Sequence, residues 1–87
     1  MTRTQKIRMM ALGLLAKRPA DIGYPQHTLV AEVRMYTGED PMPERMEVRA
    51  ALDELVEEGC VALSVNPILG VTYYTLTEKG RRFAPEI

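Results

Sequence analysis

The apolar residues of this chain change their period once, at Gly59. Before it they recur every three or four residues, the repeat of a helix covered on one side; after it they alternate, the repeat of a strand with one covered face. A chain that is helical first and extended last is confined to an α+β arrangement in which a two-stranded ribbon follows a group of helices. Ile7, Met10, Ala11, Leu14 and Leu15 predict a first helix from about Thr4 to Lys17, stopped by Pro19. Ala20 to Pro25 reads as a connection, and Leu29, Val33 and Tyr36 mark the inner face of a second helix that Gly38 ends. Glu39-Asp40-Pro41-Met42-Pro43 is a rigid link, because each proline disfavours helix in the residue before it. A third helix is therefore expected to begin between Asp40 and Glu44, with Val48, Leu52, Leu55 and Val56 as its buried stripe and Gly59 as its stop. Val61, Leu63 and Val65 then alternate with Ala62, Ser64 and Asn66, and after a turn at Pro67 to Gly70 the run Val71 to Leu76 forms the return strand. Thr77 has the chemistry of an N-cap for a last helical turn carrying Lys79, Arg81, Arg82 and Phe83.

With 87 residues, 46% of them apolar, there is material for one core, so a single domain spanning residues 1–87 is expected. Cys60 is the one cysteine and His27 the one histidine. No intrachain disulfide can form, no usual zinc site can be assembled, and a reducing, cytoplasmic setting is expected, with no metal or cofactor. His27, near the start of the second helix, suits a backbone cap or solvent; Cys60 suits a small buried hydrophobe, and Met9, Met10, Met35, Met42 and Met46 suit gap filling in the core, with exposure left open for Met42 and Met46 near the link. Arg3, Lys6 and Arg8 followed by Met9 to Ala16 superficially resemble a secretory signal, but Lys17-Arg18 follows directly and no small-x-small cleavage pattern is present. The apolar run is also too short to cross a bilayer, so no membrane partner is expected. Ser64, His27 and Cys60 offer no nucleophile and base in sequence, and no glycine-rich phosphate loop occurs, so an enzyme is not expected.

Two stretches sharpen the fold. Val48-Arg49-x-Ala51-Leu52-x-x-Leu55-x-x-x-Gly59-x-Val61 resembles the third helix and first wing strand of GntR-type winged-helix regulators. Tyr74-x-Leu76-Thr77-x-Lys79-Gly80-Arg81 is similar to the second wing strand and following turn of MarR-type regulators. The resemblance implies a winged helix-turn-helix of three helices, a β-hairpin wing and a short C-terminal helical turn. It also implies double-stranded DNA as partner, with the N-terminal half of helix three in the major groove. Arg45 and Arg49 are then the candidates for base edges or phosphates, with Met46 beside them.

Charge is unevenly spread around a net of −1. Residues 1–18 hold five bases and no acid, residues 19–60 three bases against ten acids, and residues 61–87 three bases and two acids. Any nucleic-acid contact must be local. Arg3 and Arg8 at one end and Lys79, Arg81 and Arg82 at the other would form a basic rim if the ends meet in space; otherwise they are ordinary solvated charges. Helical geometry places Met46, Glu47, Ala50, Asp53, Glu54 and Glu57 outward, a mainly acidic face with Glu54, Glu57 and Glu58 expected in solvent. The wing tip Asn66-Pro67-Ile68-Leu69-Gly70 carries no Arg or Lys, and Ile68 and Leu69 there either contact a protein partner or symmetry mate, or fold back onto the core. A protein-interaction module that does not bind DNA is the competing reading. A homodimer is expected to use helix one or the wing, since the chain ends soon after Phe83, short of the long terminal helices with which many MarR-like regulators dimerise.

Overall fold

A computed structural model describes residues 1–19 and 21–85. Its elements run α1 (Arg3–Ala16), β1 (Tyr24–Pro25), α2 (Gln26–Tyr36), α3 (Arg45–Glu57), β2 (Val61–Val65), β3 (Thr72–Leu76) and α4 (Glu78–Phe83). The strands form one antiparallel sheet in the order β1-β3-β2, with Tyr24 opposite Tyr74 and with Val61 to Val65 running opposite Leu76 to Thr72. Three helices followed by a β-hairpin is the arrangement expected from the sequence.

Local chemistry accounts for the boundaries. The Thr2 hydroxyl accepts from the Gln5 amide and the Gln5 side chain accepts from the Thr2 amide, a reciprocal cap that starts α1 one residue earlier than its apolar repeat suggests. Gly38, at φ +75, turns the chain out of α2. The link beyond is fastened to α2 by the Arg34 Nε, which donates to the Pro43 carbonyl at 2.8 Å, and Pro43 itself is buried. With the link held by Pro43, α3 starts only after Glu44, one residue beyond the expected range. At its other end Gly59 (φ +78) donates to the Val56 carbonyl and Cys60 to the Leu55 carbonyl, the paired closure of a Schellman motif.

One strand lies outside the sequence pattern. Tyr24 and Pro25 lie in what reads as a connection, yet they pair with Tyr74 and Tyr73 on the far side of β3. Two residues give no alternation to detect, and a proline is admissible because the strand is an edge. Three contacts hold it: Tyr24 is buried, the Arg18 guanidinium lies 4.1 Å above its ring, and the Gln26 Nε2 donates to the Tyr74 Oη at 2.7 Å.

The core joins Ile7, Ala11, Leu12, Leu14 and Leu15 of α1, Leu29, Val30 and Val33 of α2, and Val48, Ala51, Leu52 and Leu55 of α3 with Tyr24, Cys60, Val61, Tyr74 and Leu76. Several inward assignments need correction. Tyr36 is 55% exposed, since the buried stripe of α2 swings towards Val30 and leaves the last turn uncovered. Val56 and Met10 only flank the core, and Met35 is exposed rather than filling a gap; Met42 and Met46 are exposed, the outcome left open by their place near the link. Leu63 and Val65 point the same way as Val61 but are exposed, because the wing extends past the helices that cover its base.

Candidate nucleic-acid interface

The charges on α3 are sorted by its contact with α1. Arg3 donates to both carboxylate oxygens of Glu47, at 2.6 and 3.1 Å, a forked pair with each side chain about one-third exposed. Arg8 reaches Glu54 at 3.3 Å and Glu58 at 2.5 Å, and Lys6 lies 3.6 Å from Glu39 on the link. Arg3 and Arg8 of α1 are thus spent on one flank of α3, and Lys6 on the link before it. Glu47, Glu54 and Glu58 are drawn to that flank, which corrects the expectation of an outer face carrying Glu47 and Glu54; Glu54 and Glu58 stay exposed, as expected, while pairing with Arg8.

What stays outward on the N-terminal half of α3 is Arg45, Met46, Arg49 and Ala50, all exposed, with Asp53 one turn further on. Neither Arg45 nor Arg49 has an ion-pair partner among the described residues. Both border a groove of ≈ 440 Å³ between the starts of α2 and α3, lined also by Gln26, His27, Val30, Ala31 and Met46. This groove brings together two guanidiniums, an amide, an imidazole and an apolar floor. The sequence gives His27 no binding role, and only the packing of α2 on α3 brings it beside Arg45 and Arg49.

The remaining basic residues meet elsewhere. The Lys79 Nζ donates to the Glu58 carbonyl at 2.6 Å, closing the C-terminal end of α3. Thr77 donates to the Gly59 carbonyl and accepts from the Gly80 amide, joining the same helix end to α4. The two chain ends therefore do converge, through Arg8 and Lys79, but on Glu58. That is the opposite end of a 13-residue helix from Arg45, a span of about 20 Å. Arg81 and Arg82 are exposed on α4, and Arg82 lies 3.8 Å from Glu78. At the wing tip the Asn66 Oδ1 accepts from the amides of Ile68 and Leu69, and their side chains are 91% and 67% exposed. Neither folds back onto the core.

The hydrogen bond from Arg3 holds the Glu47 carboxyl below its ordinary value, and the same contact raises Arg3. Because the folded value of Glu47 is depressed, its contribution is fully present above the unfolded value, about 4.3, and is lost as pH falls through the folded value. Acidification should release the first turn of α1 from α3. Protection of the Lys6 and Ile7 amides, each exchange rate being referred to its intrinsic rate at the same pH, should fall between pH 6 and pH 3 in the native chain and change much less in Glu47→Gln; equal responses would contradict the assignment.

No protein-family model matches the sequence, and no curated protein matches it. Solved structures do. A MarR-family transcriptional regulator from Silicibacter pomeroyi is similar over 88% of this chain, with 27% identity and a TM-score of 0.67. A candidate DNA-binding protein from Ralstonia eutropha is similar over 97% of this chain and 93% of its own, with 15% identity and a TM-score of 0.67. The adhesin competence repressor of Streptococcus pyogenes is similar over 97% of this chain, with 22% identity and a TM-score of 0.64. The chain spans 44% of the length of the Silicibacter regulator and 51% of that of the repressor. Together with the element order, these likenesses make the fold an α+β winged helix. No helix among the described residues is long and apolar enough to cross a membrane.

Proposed function

We propose, on the premise of a winged helix shared in fold with transcriptional regulators, that this chain binds double-stranded DNA by laying the N-terminal half of α3 in the major groove. One observation carries the reading: the α1 arginines draw Glu47, Glu54 and the C-cap Glu58 to one flank of α3, leaving Arg45 and Arg49 on the outward one with no ion-pair partner among the described residues. A planar guanidinium suits the two acceptors of a guanine edge, and the exposed Met46 and Ala50 offer apolar contact to a thymine methyl. Arg3, Arg8 and Lys79 serve this reading indirectly, since they hold α3 by its flank and its C-terminal end. Arg81 and Arg82 lie with α4 at that same end and are candidates for a flanking phosphate rather than for base readout. One domain over residues 1–87, working as a cytoplasmic regulator without catalytic chemistry, completes the proposal.

The net charge of −1 makes the test sensitive, because affinity must come from a local patch rather than a general field. Fluorescently labelled duplex DNA is titrated with the chain at two salt concentrations. Binding should be evident at low salt and weaken as salt rises, since each phosphate neutralised releases condensed counterions. Absence of binding at low salt, or affinity indifferent to salt, would overturn the reading.

A further inference from the structure

The wing has one open edge. On the β1 side the sheet is closed by a short strand ending in Pro25; on the other side β2 pairs, among the described residues, with β3 alone. Hydrogen bonds at the two ends of the hairpin fix which groups face outward. Asn66 donates to the Val71 carbonyl and Thr77 donates to the Cys60 carbonyl, so the bonded positions of β2 are the even ones, Cys60, Ala62, Ser64 and Asn66. In an antiparallel ladder the positions between them turn their amides and carbonyls the other way. Val61, Leu63 and Val65 therefore present six backbone groups to the open edge, and Leu63 and Val65 are 46% and 55% exposed. The usual protections of an edge, a lysine, an inward charge, a proline or a bulge, are missing from this strand.

We propose that this edge pairs with the same edge of a second copy of the chain, Leu63 opposite Leu63 about a two-fold axis. In that register Val61 of each copy faces Val65 of the other, and all six outward groups are satisfied by six hydrogen bonds. Val61, Leu63 and Val65 of both copies share one face, so each side chain of the apolar row that the helices leave bare gains an apolar cross-strand neighbour. Charge selects the same occupant. No residue from Gly59 to Thr77 is charged, so two copies meet here without opposing like charges, whereas α1 against α1 would set bases on bases.

The inference does not rest on DNA binding, and its test contains no DNA. The full chain should sediment at twice 9.8 kDa, and Leu63→Lys, at an exposed position, should sediment at the single mass with an unchanged circular dichroism spectrum. Leu63→Cys should oxidise to a covalent dimer at least tenfold faster than Ala62→Cys. Opposed residues of a bonded pair lie about 5.5 Å apart between Cα atoms, inside disulfide range, whereas in this register the two Ala62 positions are about 8 Å apart by strand spacing and rise. The native Cys60 is buried and serves both variants as a common background. A monomer at all concentrations, a dimer that survives Leu63→Lys, or equal cross-linking at 62 and 63 would each overturn the proposal. The cross-linking comparison decides the matter even if the lysine variant fails to fold.

Discussion

Replacing Gly80 by alanine should destabilise the fold by about 2 kcal/mol or more, the upper part of the range for forcing atoms into a packed site. For a chain of this size that lowers the melting temperature by roughly 10 °C or more. A Cβ at this position would stand 2.1 Å from the Cys60 carbonyl oxygen and 2.7 Å from the Leu76 Cδ1. The first of these is backbone, and it already accepts from the Thr77 amide at 3.0 Å, so it cannot move aside without opening the joint between α3, β2 and α4. Gly38 is the control: its φ of +75 disfavours alanine, but nothing lies within 4 Å of the added carbon, so the expected cost is only the ~1 to 2 kcal/mol of a left-handed residue. Thermal unfolding followed by circular dichroism should rank Gly80→Ala below Gly38→Ala. The reverse order would mean that the carbonyl contact does not hold the joint.

Arg49→Ala and Arg45→Ala should each weaken binding to a selected duplex, while Arg81→Ala should leave base preference intact. A forked contact to a guanine edge is worth about 1 to 3 kcal/mol of discrimination, roughly five- to 150-fold in affinity. Two outcomes are separable. If an arginine reads a base, its loss relaxes preference at one position of the site; if it holds a phosphate, affinity falls evenly across sequences and the salt slope drops by about one. Both side chains are exposed and lack ion-pair partners among the described residues, so their removal should leave the melting temperature within a degree or two. Unchanged DNA affinity in the double variant would remove α3 from the interface.

How much of this was legible before the fold was known follows from the length scale of each feature. The three long helices and the wing carry their own periodicity, and Gly38 and Gly59 stand where left-handed turns end α2 and α3. β1 has only two residues, one of them a proline, so its existence depends on β3 being there to pair with. The charge pattern of α3 is readable as a list but not as a surface. Glu47 and Glu54 fall on its outer half by helical geometry, and only the line of approach of α1, which brings Arg3 and Arg8 alongside, makes that half a contact flank. The run from Tyr74 to Arg81 stands out in the sequence as a motif, yet its conspicuous members serve as a joint. Thr77 caps α4, Lys79 closes α3 and Gly80 admits the Cys60 carbonyl. The alternation of Val61, Leu63 and Val65 correctly gave a strand but could not show where its cover ends, because that depends on how far the helices reach beneath the wing.

The sorting of charge across α3 is tested most directly by recording amide and arginine side-chain NMR shifts while duplex DNA is added. Shifts should concentrate at Arg45, Met46, Arg49 and the neighbouring Gln26 and His27, with only minor ones at Arg81 and Arg82 from a flanking phosphate, while Glu54 and Glu58 stay in place. Shifts centred on α4, on the wing, or on the Arg8 and Glu58 end of α3 would contradict it.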